Sequence, residues 1–421
     1  MVVDDAETVR LGELITIKHG FAFSSEHYCS DGPYVLLTPG NFREGGGYRW
    51  LEGKQKHYDG PVPAEFVLSA GDMLVAMTEQ APGLLGSTLF VPDGATYLHN
   101  QRLGLVRVKE AAALSPEFLH YFLSLPEVRR HISSEAAGTK VKHTSPDRLY
   151  SISLRLPPLP EQLKIAEILR TWDEAIEKLQ AFRAAKERRL AAMVMTVGFG
   201  ARQFPEFRRT DDKTDHRWFS LPANWTCLPI GKIAGEISER NASCEQAEVL
   251  SCTKHSGFVR SLDYFKKQVF SGDLGGYKRI WRGDFGFPSN HVEEGSIGLQ
   301  NLADVGLVSP IYTVFRFDPK RVNADYAFAL LKTGLYRHIY QVNTSASVDR
   351  RGSLRWSEFR RIPFPVPPLE EQEAIAELFR GLRQDLDGTQ REIDALTQQK
   401  RGLMQKLLTG KWRVSPEGGG G

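Results

Sequence analysis

Two stretches of this chain carry a spacing of apolar residues that the rest of it lacks. At positions 165, 169, 172, 176, 179, 183, 186, 190, 193 and 197, steps of four and three alternate, and eight of the ten residues are apolar. The same spacing from 375, through 379, 382, 386, 389, 393, 396, 400 and 403, to 407 again finds eight of ten. This is the seam of a coiled coil, and it predicts long helices over 160–196 and 370–407. Prolines with Glu161 or Glu371 mark the starts, where free N–H groups and the positive dipole end favour them, and Gly200 and Gly410 mark the stops. Inside the second helix Gly381, Gly388 and Gly402 each cost about 1 kcal/mol relative to alanine, so that helix is expected to lean on the first.

Between these seams the pattern is short, alternating and broken by turns. Strands are predicted at 34–37, 72–77, 103–108 and 312–317, with one helical stretch in each half, at 116–132 and 324–340. The fold class predicted is therefore α+β: two β-rich globular domains separated by two long antiparallel helices, with a pseudo-two-fold internal repeat. The boundaries read from the sequence are 1–155, first globular domain; 156–200, central helix; 201–365, second globular domain; 366–410, distal helix; and 411–421, a flexible tail.

The repeat itself is literal. Pro157-Pro158-Leu159-Pro160-Glu161-Gln162 returns 210 residues later as Pro367-Pro368-Leu369-Glu370-Glu371-Gln372, and the register then holds through Ile165-Ala166-Glu167 and Ile375-Ala376-Glu377 to Gly200 and Gly410. Within the globular halves Gly71-Asp72 recurs as Gly283-Asp284, and Arg130-His131-Ile132 as Arg337-His338-Ile339. If the helices pack antiparallel with their ends aligned, the numbers of facing seam residues sum to 572. Arg183 then falls opposite Thr389, and Lys400 beside Trp172.

Composition narrows the function. Of 421 residues, 54 are basic and 51 acidic, and residues 1–155 hold 15 basic against 18 acidic groups while 201–365 hold 24 against 18. Bulk charge therefore gives no argument for nucleic acid, and any contact to phosphate must come from local clusters. Cys29, Cys227, Cys244 and Cys252 are irregularly spaced with no paired Cys-x-x-Cys, so no metal site is expected, and a cytoplasmic location is. There is no Gly-x-x-x-x-Gly-Lys-Ser/Thr phosphate loop, no Asn/Asp-Pro-Pro-aromatic motif for a flipped base, and no nuclease or Ser/His/Asp pattern. No catalytic residues are predicted; the chain reads as a protein that binds and organises.

The two Pro-Pro-Leu-x-Glu-Gln openings, each followed by a long helix and closing a variable half, resemble the specificity subunits of type I restriction-modification systems over essentially the whole chain. Gly20-Phe21-Ala22-Phe23 with Leu98-His99-Asn100-Gln101-Arg102 is similar to one type of target recognition domain, and Val249-Leu250-Ser251-Cys252-Thr253 with Gly306-Leu307-Val308-Ser309-Pro310 to another. The resemblance implies a non-catalytic subunit in which each variable domain reads one half of an asymmetric, bipartite site in double-stranded DNA. The helices would set the gap and dock two methyltransferase subunits, and two restriction and translocation subunits would complete the assembly. S-adenosylmethionine, ATP and magnesium would belong to those partners, with no cofactor in this chain. A helix over 160–196 would span about 55 Å against about 34 to 36 Å for one turn of DNA, which suits such a ruler. A coiled-coil scaffold joining two protein-binding modules, and a recognition subunit of another methylation-based defence system, are the alternatives.

Base reading needs long polar side chains on loops, with Arg for guanine and Asn or Gln for adenine. In the first half the candidates are Thr78, Glu79, Asn100, Gln101, Arg102, Thr139, Lys140 and Lys142; in the second they are Lys254, His255, Ser256, Tyr277, Lys278, Arg279, Asn290, His291, Arg350 and Arg351. Of these Lys140, Lys142, Lys278, Arg350 and Arg351 are expected on phosphates.

Overall fold

The computed structural model describes residues 7–79, 83–138, 141–242, 247–344 and 353–415. The chain divides into two compact units: unit 1 comprises Met1–Leu179 with Glu392–Gly421, and unit 2 comprises Gln180–Arg391. Both predicted long helices form, over Leu159–Val197 and Leu369–Leu408, and each contributes residues to both units.

In unit 1 the strands Ile15–His19, Leu103–Val108, Met73–Ala76 and Thr88–Phe90 make a four-stranded antiparallel sheet in that order. In unit 2 the strands Ala234–Ile237, Tyr312–Phe317, Phe285–Pro288 and Gly298–Leu299 repeat the arrangement. The Gly-Asp echo lies at the start of the third strand in each sheet. Gly71 and Gly283 take positive φ of 81° and 89°, which glycine adopts without a Cβ penalty. Buried Asp72 then accepts from Ser69 N at 3.0 Å and from Arg107 on the neighbouring strand at 2.6 Å. Asp284 accepts from Trp281 N at 2.7 Å and from Arg316 at 2.6 Å. One ion pair per sheet thus fixes the register of the two central strands. A further five-stranded sheet in unit 1 and a four-stranded sheet around Glu248–Thr253 in unit 2 have no common order.

Each predicted helical stretch is broken in two: Pro116–Leu123 with Pro126–Ser134, and Ala324–Leu331 with Gly334–Asn343. The cause is local. Leu125, before Pro126, is forced to extended backbone at ψ 135°, and Thr333 leaves the helix to cap the next one through Tyr336 N.

The repeated hexapeptide has a specific task. The side-chain amide of Gln162 accepts from Ser115 N at 2.9 Å and donates to Ala113 O at 2.9 Å and Pro157 O at 2.8 Å. Gln372 does the same with Asn323 N at 2.9 Å, Arg321 O at 2.9 Å and Pro367 O at 2.8 Å. Ser115 and Asn323 are themselves the N-caps of the short helices that follow. Each long helix is therefore bolted to its globular domain at one buried amide. The adjoining glutamates differ: Glu161 receives Arg413 at 2.9 Å and Val414 N at 3.2 Å, whereas Glu371 receives Gln203 and Trp225 Nε1, both at 2.9 Å. Arg413 and Val414 of the predicted tail are thus engaged at the start of the first long helix, and 416–421 lie outside the described residues.

The helices run antiparallel within each unit. In unit 1 Ile165 and Leu169 share a core with Met404, Leu407 and Leu408, and Asp173 meets Lys400. In unit 2 Val194 and Val197 share a core with Ile375 and Phe379, and Lys186 meets Asp385 at 2.7 Å. Both ion pairs depart from the 572 rule by one position. The polar partners are not those expected. Thr389 accepts from Lys186 at 2.9 Å, while Arg183 pairs with Glu187 at 3.1 Å along its own helix. Lys400 goes to Asp173 and lies over the Tyr121 ring at 5.2 Å, not over Trp172, because a carboxylate one residue along offers charge as well as contact.

Replacing Gln372 with Leu leaves an amide N–H and two carbonyls without partners, and should destabilise unit 2 by about 3 kcal/mol. Urea unfolding measures this, with exposed Gln384→Leu as a control expected to shift stability by under about 0.5 kcal/mol.

Candidate nucleic-acid interface

The first-half candidates gather at one end of the unit 1 sheet. Met77 N donates to Arg102 O at 3.0 Å and Met77 O accepts from Thr144 N at 3.0 Å, so the strand end carrying Thr78 joins the turn at 100–102 to the segment around 143. Thr78 is buried, its hydroxyl 3.1 Å from His143 Nδ1, and Glu79 N donates to Lys142 O at 2.9 Å. Glu79 itself accepts from Gly83 N at 3.0 Å. Asn100 is buried and accepts from Arg102 N at 3.0 Å, which closes the turn and leaves Gln101 and Arg102 exposed. Lys142 donates to Ser133 Oγ at 2.9 Å, so its charge is partly used inside the domain. Gly138, at φ 106°, approaches Val141 O so closely that a Cβ would lie 2.1 Å from it. Thr139 and Lys140 lie outside the described residues.

In unit 2 the candidates separate into two places. Lys254, His255 and Ser256 form the exposed turn between the antiparallel strands Glu248–Thr253 and Gly257–Arg260. Lys332 Nζ donates to Lys254 O at 2.6 Å and Gly295 O at 2.8 Å, which ties that turn to the loop holding Asn290 and His291. His291 is exposed, its Nδ1 3.6 Å from Glu294. Tyr277, Lys278 and Arg279 lie elsewhere and face inward. Tyr277 packs in a small core with Val249 and Leu307, Lys278 donates to Tyr312 O at 2.6 Å, and Arg279 pairs with Glu239 at 3.3 Å. Burial lowers the Lys278 ammonium pKa. The physical reason is that Lys278–Trp281 is a strand paired with Val305–Val308, so these side chains are committed to sheet packing. Arg350 and Arg351 lie outside the described residues.

Beside each loop cluster is a cavity. That in unit 1, about 710 Å³, is lined by Glu44, Glu79, Arg129, Arg130, Lys400 and Arg401 among others. Arg129 donates to Gly83 O, while its other terminal nitrogen is buried without a hydrogen-bond partner, and burial lowers its pKa to about 10. That in unit 2, about 310 Å³, is lined by Lys254, Glu293, Glu294, Arg337 and His338 among others. None of these arginines was singled out from sequence. The echo of Arg130 in Arg337 was visible, but it served only as a sign of duplication.

A profile of the type I restriction modification DNA specificity domain matches residues 3–182. The chain is 22% identical over 441 residues to the type I restriction enzyme EcoBI specificity subunit of Escherichia coli, with 96% of this chain and 87% of that protein covered. The chain is thus similar to the type I restriction-modification specificity subunits. It is also 22% identical over 312 residues to the MjaVIII specificity subunit of Methanocaldococcus jannaschii, covering 70% of each. Among solved structures it is similar to the type I S subunit from M. genitalium, at 14% identity and a TM-score of 0.52 over 97% of both chains. A chain from a structure of type I complex assembly and conformational transition gives 16% identity and 0.52, over 97% of this chain and 98% of that one. Those likenesses carry the fold, and with it the α+β class predicted. Among the described residues no helix is long and apolar enough to cross a membrane.

Under the Asn100 turn His99 is fully buried, its Nε2 3.0 Å from Leu103 O, and burial lowers its pKa to about 4. A lowered histidine stabilises the fold above the unfolded value of about 6.5, and that stability drains as pH falls towards about 4. Unit 1 should accordingly lose stability across this window, and His99→Gln should flatten the loss in pH-dependent urea melts.

Proposed function

We propose that this chain does no chemistry of its own and selects a bipartite sequence in double-stranded DNA for partner subunits. The observation that carries the reading is the duplicated sheet, locked by Asp72 with Arg107 and Asp284 with Arg316, with divergent polar loops at the corresponding place in each unit. A common scaffold bearing different exposed side chains suits recognition of two different half-sites. Direct readout falls to exposed loop residues, Gln101 and Arg102 in unit 1 and Lys254, His255 and His291 in unit 2. Thr78, Asn100, Tyr277 and Arg279 instead shape the loops or the core.

The long helices, shared by both units, set the gap between half-sites and present docking faces to two methyltransferase subunits, with two restriction and translocation subunits joining for cleavage. S-adenosylmethionine, ATP and magnesium act in those partners. The location that follows from this role is the cytoplasm.

Methylome sequencing of cells with and without the gene should reveal one lost asymmetric motif with two specified halves and an unspecified gap. Inserting four residues, about one helical turn, into the 159–197 helix near Gln180 should change the permitted gap while leaving both half-sites as they were. An unchanged gap would rule out the ruler, and loss of no methylated motif would rule out the recognition role.

A further inference from the structure

The repeated tripeptide Arg130-His131-Ile132 and Arg337-His338-Ile339 is explained by packing at one of its three positions. Ile132 is 3% exposed and Ile339 0%, each in its unit's main core. Arg130, His131, Arg337 and His338 are all exposed. A helix face that needs only the isoleucine has nevertheless kept the same basic pair on the outside, 207 residues apart.

What the two arginines share is a setting. Each lies on the second of two short helices, Pro126–Ser134 or Gly334–Asn343, and each lines the cavity beside the loop that follows the Gly-Asp strand. That loop brings Glu79 to the first cavity and Glu293 and Glu294 to the second. Among the described residues no hydrogen bond or ion pair engages the side chain of Arg130 or Arg337. Two neighbouring lysines are held internally: Lys400 by Asp173, and Lys332 by the carbonyls of Lys254 and Gly295.

The geometry points to Arg130 and Arg337 as a matched pair of backbone clamps, each binding one DNA phosphodiester at the equivalent place of its half-site. This rests on the reading of the chain as a DNA-recognition subunit. A guanidinium at the mouth of a polar cavity, free of internal partners and one step from the candidate reading loops, can take a phosphate in a forked pair of hydrogen bonds. The carboxylates opposite do not serve phosphate; Glu79, Glu293 and Glu294 are acceptors of the kind that cytosine amino groups satisfy. Position is thereby fixed by the duplicated residues and sequence by the residues that differ.

The test uses the chain assembled with its methyltransferase subunits, binding a duplex that carries the methylated motif and a second duplex that lacks it, across a salt series. Arg130→Gln and Arg337→Gln should each weaken both duplexes alike and reduce the slope of log affinity against log salt by about 0.9, and the double variant by about 1.8. The methylated motif should not change. Both side chains are exposed, so assembly should survive, and size-exclusion chromatography checks it. If the unaltered complex binds neither duplex, the recognition reading itself fails. If it binds and the double variant shows the same slope and affinity, the clamps are refuted while recognition stands. Loss confined to the motif duplex would make the arginines base readers, and loss of assembly would make them partner contacts; either result overturns the proposal.

Discussion

Everything distinctive in this structure depends on one buried amide used twice. Gln162 and Gln372 each close three hydrogen bonds that join the first turn of a long helix, the strand-helix connection of a globular domain and the proline run between them. An amide suits this position because it offers a carbonyl and two N–H donors on one planar group. Glutamate would lose the donors and leucine would strand three backbone groups. Since the N–H it satisfies is that of the N-cap residue, the helix origin and the domain orientation are set by a single side chain.

Around that anchor the two halves agree where geometry is at stake and diverge where it is not. The Asp-Arg lock, the left-handed glycine before it and the broken helix pair all recur. The secondary sheets, the loop sequences and the partners of Glu161 and Glu371 do not. Interiors held by a few satisfied polar groups and by apolar clusters within each unit leave the surface loops energetically separate from the fold, so their side chains can be set by what they contact.

The seams were legible because heptad spacing is a local property, and so were the strands at Tyr34–Leu37, Leu103–Val108 and Tyr312–Phe317. What the hexapeptide does was not legible, because its partners at 113–115 and 321–323 lie about fifty residues before it and nothing in the spacing links them. The same limit misplaced the partners of Lys400 and Thr389, since seam arithmetic gives a register to within about a residue and a flanking carboxylate then decides which contact forms. Tyr277, Lys278 and Arg279 looked like a polar loop, yet their pairing with a strand some thirty residues later turns them inward. Arg130 and Arg337 were on view throughout as a repeat, and only their shared position beside a cavity gives that repeat a use.

The clasp between Arg413 and Glu161 also has a bearing on how the chain is made. Unit 1 contains the first 179 residues and the last 30, whereas unit 2 is one continuous stretch. A chain emerging from its N-terminus ordinarily completes its first domain first. Here the order is reversed: unit 2 holds all of its residues once 391 has emerged, and unit 1 must wait for the return of 392–414 with its helix, its core residues Met404, Leu407 and Leu408, and the arginine that covers Glu161. During that interval the apolar face of the first helix, from Ile165 to Leu169, stands without its partner. The chain is therefore most exposed to misassembly in the half that was synthesised first, and the last turn of its second long helix is what ends that exposure.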